Sequence, residues 1–180
     1  MKKALTLTLL TLFLTSCEGP YIFNRVVNLK DGDKMLLGGV SRESFEKAPF
    51  SEWFQENYEA YETNDAMIKD FRNKLKRHRI EVFLGTWDEE SKLRYPQFIK
   101  VLDQAKFSEQ RLLTYAVNTS KRSFYSEERG KNIEHLPTFI FYKGGKEVGR
   151  IVGFPVSGSF EEDILMIVNG KAFTPNYQEN

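Results

Sequence analysis

The segment from Ile80 to Pro96, IEVFLGTWDEESKLRYP, restricts the fold of this chain more than any other part of the sequence. Its first five residues are bulky and mostly apolar, which is typical of a buried β-strand. Asp88 then predicts a helix N-cap, with Glu89 and Glu90 in the first turn, where negative charge suits the helix dipole. Pro96 predicts a kink in this helix, because proline lacks the N–H that the helix requires.

The composition predicts one ordinary globular domain. The chain has 180 residues, of which 41% are hydrophobic, and its formal net charge is +1. A chain of this length can bury a substantial core. The low charge and the lack of a basic stripe with interleaved aromatics argue against a nucleic-acid partner. The sequence has no glycine-rich phosphate loop, and no cofactor is predicted.

The N-terminus has the pattern of an export signal. Residues 4–14 are mostly apolar and follow a charged start, but they are too few to span a bilayer core of ~30 Å. They lead into Leu14-Thr15-Ser16-Cys17, which resembles the bacterial lipobox. This resemblance implies cleavage before Cys17 and lipidation of that cysteine. The alternative is a plain secretory signal in which Cys17 is incidental.

We therefore expect residues 1–16 to be a signal peptide and residues 17–34 to be a lipidated tether. The lipobox resemblance implies that Cys17 attaches the protein to a membrane of the cell envelope, facing the periplasm or associated with the outer membrane. Cys17 is also the single cysteine of the chain, so no intramolecular disulfide and no two-cysteine redox centre can form.

The remaining segments alternate between helix and strand signals. Residues 34–40 and 111–118 are predicted strands, and residues 41–79 are predicted to be mostly helical. We interpret residues 119–131 as a loop with a short helix. Further along, the sequence predicts a hairpin turn at 143–146, a strand over 147–152 and a helix that begins at Ser159.

Two motifs carry a resemblance to a known family. A strand, then Trp87, then a helix start and a kink proline resemble the active-site segment of the thioredoxin superfamily, where the pattern is Trp-Cys-x-x-Cys. The two cysteine positions are here Asp88 and Ser91, and Pro96 stands five residues after Ser91. Residues Leu136-Pro137-Thr138 resemble the cis-proline loop of the same superfamily. The chain also resembles the thioredoxin-like lipoproteins of Gram-negative bacteria, whose motifs match residues 85–87, Ser91, 96–98 and 137–142.

The resemblance implies an α/β fold of the thioredoxin-like type. It would have three layers, α/β/α, around a mixed central sheet, with an extra N-terminal helical segment. In this interpretation residues 35–64 form an accessory strand and helix segment, residues 65–170 form the thioredoxin-like domain, and residues 171–180 form a C-terminal tail that we expect to be frayed.

The chemistry of the superfamily requires a thiolate nucleophile. Neither Asp88 nor Ser91 supplies one, and the buried carboxylate that the family often places six residues before the first cysteine is here Val82. We therefore predict no catalytic residues at these degenerate positions. A residual or partner-dependent redox function of a thiol-disulfide oxidoreductase family stays open as an alternative.

The acidic cluster of residues 88–90 could form a metal site with His135 as the nitrogen ligand, if the cis-proline loop packs there. We interpret Asp88 as a helix cap and the glutamates as solvated, because one imidazole would be the sole nitrogen ligand. No metal is predicted.

These observations lead to three hypotheses for the function. The first is a binding module that uses a groove lined by Trp87, Leu136 and Pro137, since the superfamily pairs its cis-proline backbone with an extended client segment. The second is an enzyme, with either residual redox chemistry that uses a partner's cysteines or a carboxylate chemistry that the sequence does not specify. The third is a structural component of an envelope complex that docks through an aromatic face on residues Trp53 to Tyr61, because Trp and Tyr are frequent in binding hot spots.

Overall fold

A mixed sheet of six strands forms the centre of the protein, in the order β1-β2-β4-β3-β5-β6. The structure is a computed structural model and describes residues 24–29 and 32–177. The strands are β1 (Arg25–Asn28), β2 (Lys34–Val40), β3 (Arg79–Leu84), β4 (Leu112–Ala116), β5 (Thr138–Lys143) and β6 (Lys146–Val152). The α-helices are α1 (Ser51–Ala60), α2 (Asp65–Leu75), α3 (Glu89–Gln104) and α4 (Phe160–Val168), and short 3-10 helices span Arg42–Glu46 and Glu109–Arg111.

Strands β3 and β4 run parallel and are joined by α3, whereas the other neighbouring strands are antiparallel. A parallel pair needs a crossover connection, and α3 provides it. Strand β5 pairs with the other side of β3 and continues through a tight hairpin into β6. Gly144 and Gly145 form this hairpin with φ of 58° and 79°, values that suit glycine and confirm the predicted turn.

The predicted helix starts are confirmed by their capping hydrogen bonds. Asp88 precedes α3 and accepts a hydrogen bond from the Ser91 N–H at 2.8 Å. Ser159 precedes α4 and accepts one from the Glu162 N–H at 3.2 Å. Such caps satisfy N–H groups that have no partner inside the helix, and each contributes about 0.5–2 kcal/mol.

All four α-helices pack on one face of the sheet. Alternate residues of β3, namely Ile80, Val82 and Leu84, lie in a core cluster to which every α-helix contributes side chains. Aromatic rings fill much of this cluster, and the centroids of Phe98 in α3 and Phe139 in β5 are 4.3 Å apart. Full burial of each such side chain contributes roughly 1.5–3 kcal/mol, so this face supplies most of the apolar stabilisation.

The opposite face corrects part of the predicted architecture. The thioredoxin-like α/β fold and its mixed sheet are confirmed, but among the described residues no α-helix covers the face that carries Phe83 and Ile140. The short helix predicted within residues 119–131 is wrong, because that segment forms turns. The Asn118 side chain accepts hydrogen bonds from the N–H groups of Ser120 and Arg122, and such local bonds compete with helix formation.

Residues outside the predicted domain also belong to the sheet or contact it. Residues 25–28, which we interpreted as part of the tether, form β1 and pair with β2. Within the predicted C-terminal tail, Tyr177 packs on His135. The predicted signal peptide and Cys17 lie outside the described residues. Within the described ranges, no helix has the length and apolar character needed to cross a membrane.

Candidate peptide-binding site

Trp87 lies just after β3 and is held in one orientation. Its indole Nε1 donates a hydrogen bond to the Val117 carbonyl at 2.8 Å. The ring lies directly over Gly85, where a Cβ atom would come within 2.7 Å of the indole Cε2. A side chain at position 85 would therefore displace the ring. The half-buried indole is fixed from two sides, which makes it a rigid wall for a ligand.

Asp88 and Ser91, the two positions that hold cysteines in the superfamily, are joined by hydrogen bonds. The Ser91 hydroxyl donates to Asp88 Oδ2 at 2.7 Å and accepts from the Gly85 N–H at 3.2 Å. Ser91 is fully buried and Asp88 is half-buried. Both polar side chains are thus occupied in closing the start of α3. A carboxylate and a hydroxyl cannot form and break the sulfur–sulfur bond of thiol-disulfide exchange.

The cis-proline loop is present as predicted. The peptide bond between Leu136 and Pro137 is cis. The Thr138 hydroxyl donates to the His135 carbonyl at 2.6 Å, and the Gly153 N–H donates to the Pro137 carbonyl at 2.7 Å. The loop is therefore tied both to the start of β5 and to the end of β6.

The structure brings together the three residues predicted to line the groove. Trp87 packs against a small apolar cluster on the helix-free face that includes Leu136. Pro137 follows Leu136 directly and is buried. Within the ranges 24–29 and 32–177, neither the N–H nor the C=O of Leu136 has a hydrogen-bond partner. Buried backbone N–H and C=O groups almost always have a hydrogen-bond partner in folded proteins. The unpaired backbone of Leu136 can therefore donate one hydrogen bond to a ligand and accept one from it.

His135 does not approach the acidic cluster. Its ring stacks on Tyr177, with centroids 4.0 Å apart and an interplanar angle of 13°. Glu89 forms an ion pair with Lys92, and Glu90 forms one with Arg94. In the described part of the chain, no group of three or more His, Cys, Asp or Glu residues is placed to hold a metal ion.

Sequence reasoning missed a buried carboxylate on β3. Val82 lies in the apolar core, but the neighbouring Glu81 is buried on the opposite face. Its carboxylate forms an ion pair with Lys131, which lies on the covering loop between β4 and β5. It forms a second ion pair with the Arg79 guanidinium, at an N–O distance of 3.0 Å. Burial and the charge of Glu81 raise the pKa of Tyr142, whose hydroxyl lies 3.4 Å from the Lys131 ammonium. The Glu81–Lys131 ion pair holds this loop on the sheet. The sign of it in the sequence is a single charged residue, Glu81, within an apolar strand.

The aromatic face on α1, predicted as a possible docking surface, is largely committed to intramolecular contacts. Phe54 is buried, and Trp53, Tyr58 and Tyr61 pack partly against the core. The Tyr58 hydroxyl donates to Asp103, and the Tyr61 hydroxyl donates to Glu161, each at 2.7 Å. Packing within the protein therefore explains why aromatic residues recur at helical spacing in α1.

The order of connections defines the class of fold. A parallel β3–α3–β4 unit is followed by an antiparallel β5–β6 hairpin and a closing helix α4, with a tryptophan after the first strand and a cis-proline before the hairpin. This is a thioredoxin-like fold. No protein-family model matches the chain. A comparison with curated proteins likewise found no match.

Among solved structures, the chain is similar to mitochondrial thioredoxin 3 from Saccharomyces cerevisiae in its oxidised form. The identity is 23%, the similarity covers 56% of this chain and 92% of that chain, and the TM-score is 0.32. The fold assignment rests on the strand order and connections given above.

Proposed function

We propose that this protein is an exported, membrane-anchored binding or scaffold module of the cell envelope, built on a thioredoxin-like fold without redox cysteines. The observation that carries the proposal is the unpaired backbone of Leu136 beside the fixed indole of Trp87. An extended peptide can satisfy both backbone groups by strand addition, and the indole can pack against its side chains.

The groove does not need the missing sulfurs to bind. Recognition uses the Leu136 N–H and C=O, whose position is set by the hydrogen bonds of Pro137 and Thr138. Asp88 and Ser91 stabilise the adjacent helix start instead of reacting. Binding without electron transfer is therefore the function that this arrangement supports best.

The anchor places the groove close to a membrane. If Cys17 is lipidated, only eight peptide steps separate it from Arg25, where β1 begins. An extended chain advances at most about 3.3 Å per residue, so the sheet would start within ~26 Å of the anchor. The proposed clients are accordingly extended segments of proteins at or near the same membrane surface.

The test uses the full chain carrying Cys17→Ser and a random library of twelve-residue peptides. Selected peptides should bind with an affinity that falls at least about tenfold in Trp87→Ala, because a buried aromatic anchor typically contributes more than 1 kcal/mol to binding. Trp53→Ala is the matched control, since it removes the other tryptophan from the α1 face.

Amide chemical shifts locate the bound peptide. Binding in the groove should move the Leu136 amide signal downfield as its N–H gains an acceptor. If the selected peptides bind Trp87→Ala as tightly as the unmodified groove, or if Trp53→Ala is the variant that loses affinity, the groove is not the binding site. The unfolding midpoint of each variant shows whether a loss of binding reflects a loss of fold.

A second candidate function is residual or partner-dependent redox chemistry, in which a client would supply the cysteines. The thioredoxin-like fold is the observation that favours it. This candidate requires chemistry from outside the chain, since the described groove contributes a carboxylate, a hydroxyl and an indole.

A further inference from the structure

We propose that a cavity at the end of the sheet opposite Trp87 binds a small neutral molecule with an apolar ring or short chain and one hydrogen-bonding oxygen. The cavity measures about 110 Å³ and lies between α3, the end of β2 and the start of β4. Leu112 in its wall begins β4 and pairs with Ile80 near the start of β3, whereas Trp87 follows the end of β3. The cavity is therefore separate from the groove, and the inference does not depend on the proposed peptide binding.

The walls of this cavity are mainly apolar. Val40, Ile99 and Leu102 are buried core residues that line it, and the partly buried Phe107 and Leu112 complete the wall. Apolar walls favour a hydrocarbon ring or chain over water. A core cavity of about 150 Å³ with a similar lining can bind benzene, so this cavity has room for about six or seven non-hydrogen atoms.

Two buried hydroxyl groups give the cavity a polar contact. The hydroxyl oxygens of Tyr95 and Thr114 lie 3.3 Å apart, and the two residues are only 2% and 6% exposed. Each hydroxyl carries one proton, and the hydrogen bond between them uses one of the two. Among the described residues, neither hydroxyl has a further hydrogen-bond partner. One O–H group therefore remains to donate a hydrogen bond to a ligand.

This remaining donor favours a ligand that carries an oxygen acceptor. Burial raises the pKa of the Tyr95 hydroxyl, so the side chain keeps its proton at neutral pH. A buried donor that lacks an acceptor costs free energy. A ligand oxygen that accepts from the Tyr95–Thr114 pair removes this cost, whereas a hydrocarbon of the same shape does not.

Charged side chains in the wall of the cavity disfavour an ionised ligand. Arg42 forms two hydrogen bonds of 2.7 Å with Asp103, and its Nη1 lies 3.9 Å from the Glu109 carboxylate. The Arg42 and Asp103 side chains are 32% and 33% exposed, so the cavity reaches solvent beside them. An anion would meet two carboxylates next to a guanidinium that is already paired, and a cation would lose its hydration among apolar walls. These charges therefore select a neutral molecule.

A ligand in this cavity should stabilise the folded protein. The cavity is built from α3, β2 and β4 together, so it exists only when these elements are packed. A molecule that binds the folded chain and not the unfolded one raises the unfolding midpoint as its concentration increases. Thermal unfolding therefore reports binding independently of any spectroscopic signal from the ligand.

The experiment uses phenol and toluene as probes, because they have nearly the same shape and only phenol carries an oxygen. Versions of the full chain, all with Cys17→Ser, are titrated with each probe and followed by amide chemical shifts. They are the parent, Leu112→Phe, the double variant Tyr95→Phe with Thr114→Val, and the control Tyr125→Ala. Leu112→Phe fills the cavity from its partly buried wall. The double variant removes both hydroxyls at nearly constant shape, a change that can be close to neutral for stability.

Phenol should bind the parent saturably, shift the amide signals of Leu102 and Thr114, and raise the unfolding midpoint. Because phenol costs more to remove from water than toluene does, the informative quantity is the ratio of the two affinities. This phenol-to-toluene ratio should fall about three- to tenfold in the double variant, which lacks the donor. Leu112→Phe should abolish binding of both probes. Tyr125→Ala should leave both affinities unchanged, because Tyr125 is 59% exposed on the covering loop.

Several results would overturn the proposal. Phenol that does not bind the parent saturably would exclude the site. An unchanged affinity ratio in the double variant would exclude the hydroxyl pair as the group that recognises the ligand. Binding that persists in a folded Leu112→Phe chain, or amide shifts at Leu136 instead of Leu102, would place the ligand elsewhere. If Leu112→Phe does not fold, the affinity ratio in the double variant decides.

Discussion

Replacement of Asp88 by alanine tests whether Asp88 and Ser91 stabilise the start of α3. The change removes one carboxylate oxygen that accepts two hydrogen bonds, from the Ser91 N–H at 2.8 Å and from the Ser91 hydroxyl at 2.7 Å. Loss of an N-cap costs about 0.5–2 kcal/mol. The buried Ser91 hydroxyl also loses its acceptor, which adds a cost on the order of 1 kcal/mol.

We therefore expect Asp88→Ala to lower the free energy of unfolding by about 1.5–3 kcal/mol. In a domain of this size each 1 kcal/mol shifts the melting temperature by roughly 2–4 °C, so the midpoint should fall by about 3–12 °C. Urea unfolding followed by tryptophan fluorescence measures the free energy directly, because Trp87 lies next to the altered residue.

Asp88→Asn is the matched control, since the amide keeps one oxygen acceptor and should cost less than about 1 kcal/mol. The double variant with Ser91→Ala completes a mutant cycle, in which we expect a coupling of about 1 kcal/mol between the two side chains. A loss below ~0.5 kcal/mol in Asp88→Ala, which is typical of ordinary surface positions, would refute the capping role. Equal losses in Asp88→Asn and Asp88→Ala would show that negative charge, and not the acceptor oxygen, is what matters.

Four further predictions concern the site, the anchor and pH. In a chain carrying Cys17→Ser, the double variant Asp88→Cys with Ser91→Cys should form an intramolecular disulfide under mild oxidant. The pKa of the thiol at position 88 should lie below the ~8.5 of a free cysteine. Two free thiols in a thiol count would contradict the predicted geometry of positions 88 and 91. The unmodified protein should reduce insulin with dithiothreitol no faster than Asp88→Ala does, and a faster rate would favour the redox alternative. Cys17→Ala should release the protein from membranes or leave it uncleaved, whereas an unmodified protein that is soluble and cleaved elsewhere would exclude lipidation. Burial lowers the pKa of His78 in the folded state, so the unfolded chain binds more protons below about pH 6.5 and stability should fall as the pH drops. His78→Gln should flatten this slope in acid unfolding curves, and an unchanged slope would contradict the role of His78.

The elements predicted correctly are those whose signals lie within a few residues of each other. Asp88 and Ser91 are three positions apart, and the glycines of the β5–β6 hairpin are adjacent. Caps and tight turns are decided by local hydrogen bonds and by φ values that only certain residues adopt readily. The sequence therefore contained the strand, Trp87, the helix start and the cis-proline loop in recognisable form.

The features that sequence reasoning missed depend on contacts between distant segments. Glu81 and Lys131 are 50 residues apart, yet their ion pair helps to hold the covering loop where a helix was predicted. The helix expected within residues 119–131 had only two apolar anchors, and both are exposed on the loop instead. Tyr177 stacks on His135, although the two are 42 residues apart in the sequence. Periodicity and local propensity contain no information about such pairings.

The hydrogen bonds that each group of the candidate site already makes determine what that group can still offer to a ligand. Asp88 and Ser91 satisfy each other and the start of α3, so they present little to a ligand. The indole N–H of Trp87 is occupied by the Val117 carbonyl, which leaves the ring surface for apolar contact. The Leu136 backbone keeps a donor and an acceptor to offer, because neither has a hydrogen-bond partner among the described residues. If the protein binds an extended peptide as proposed, backbone pairing would tolerate many sequences, and selectivity would then come from the length and shape of the segment that fits beside Trp87.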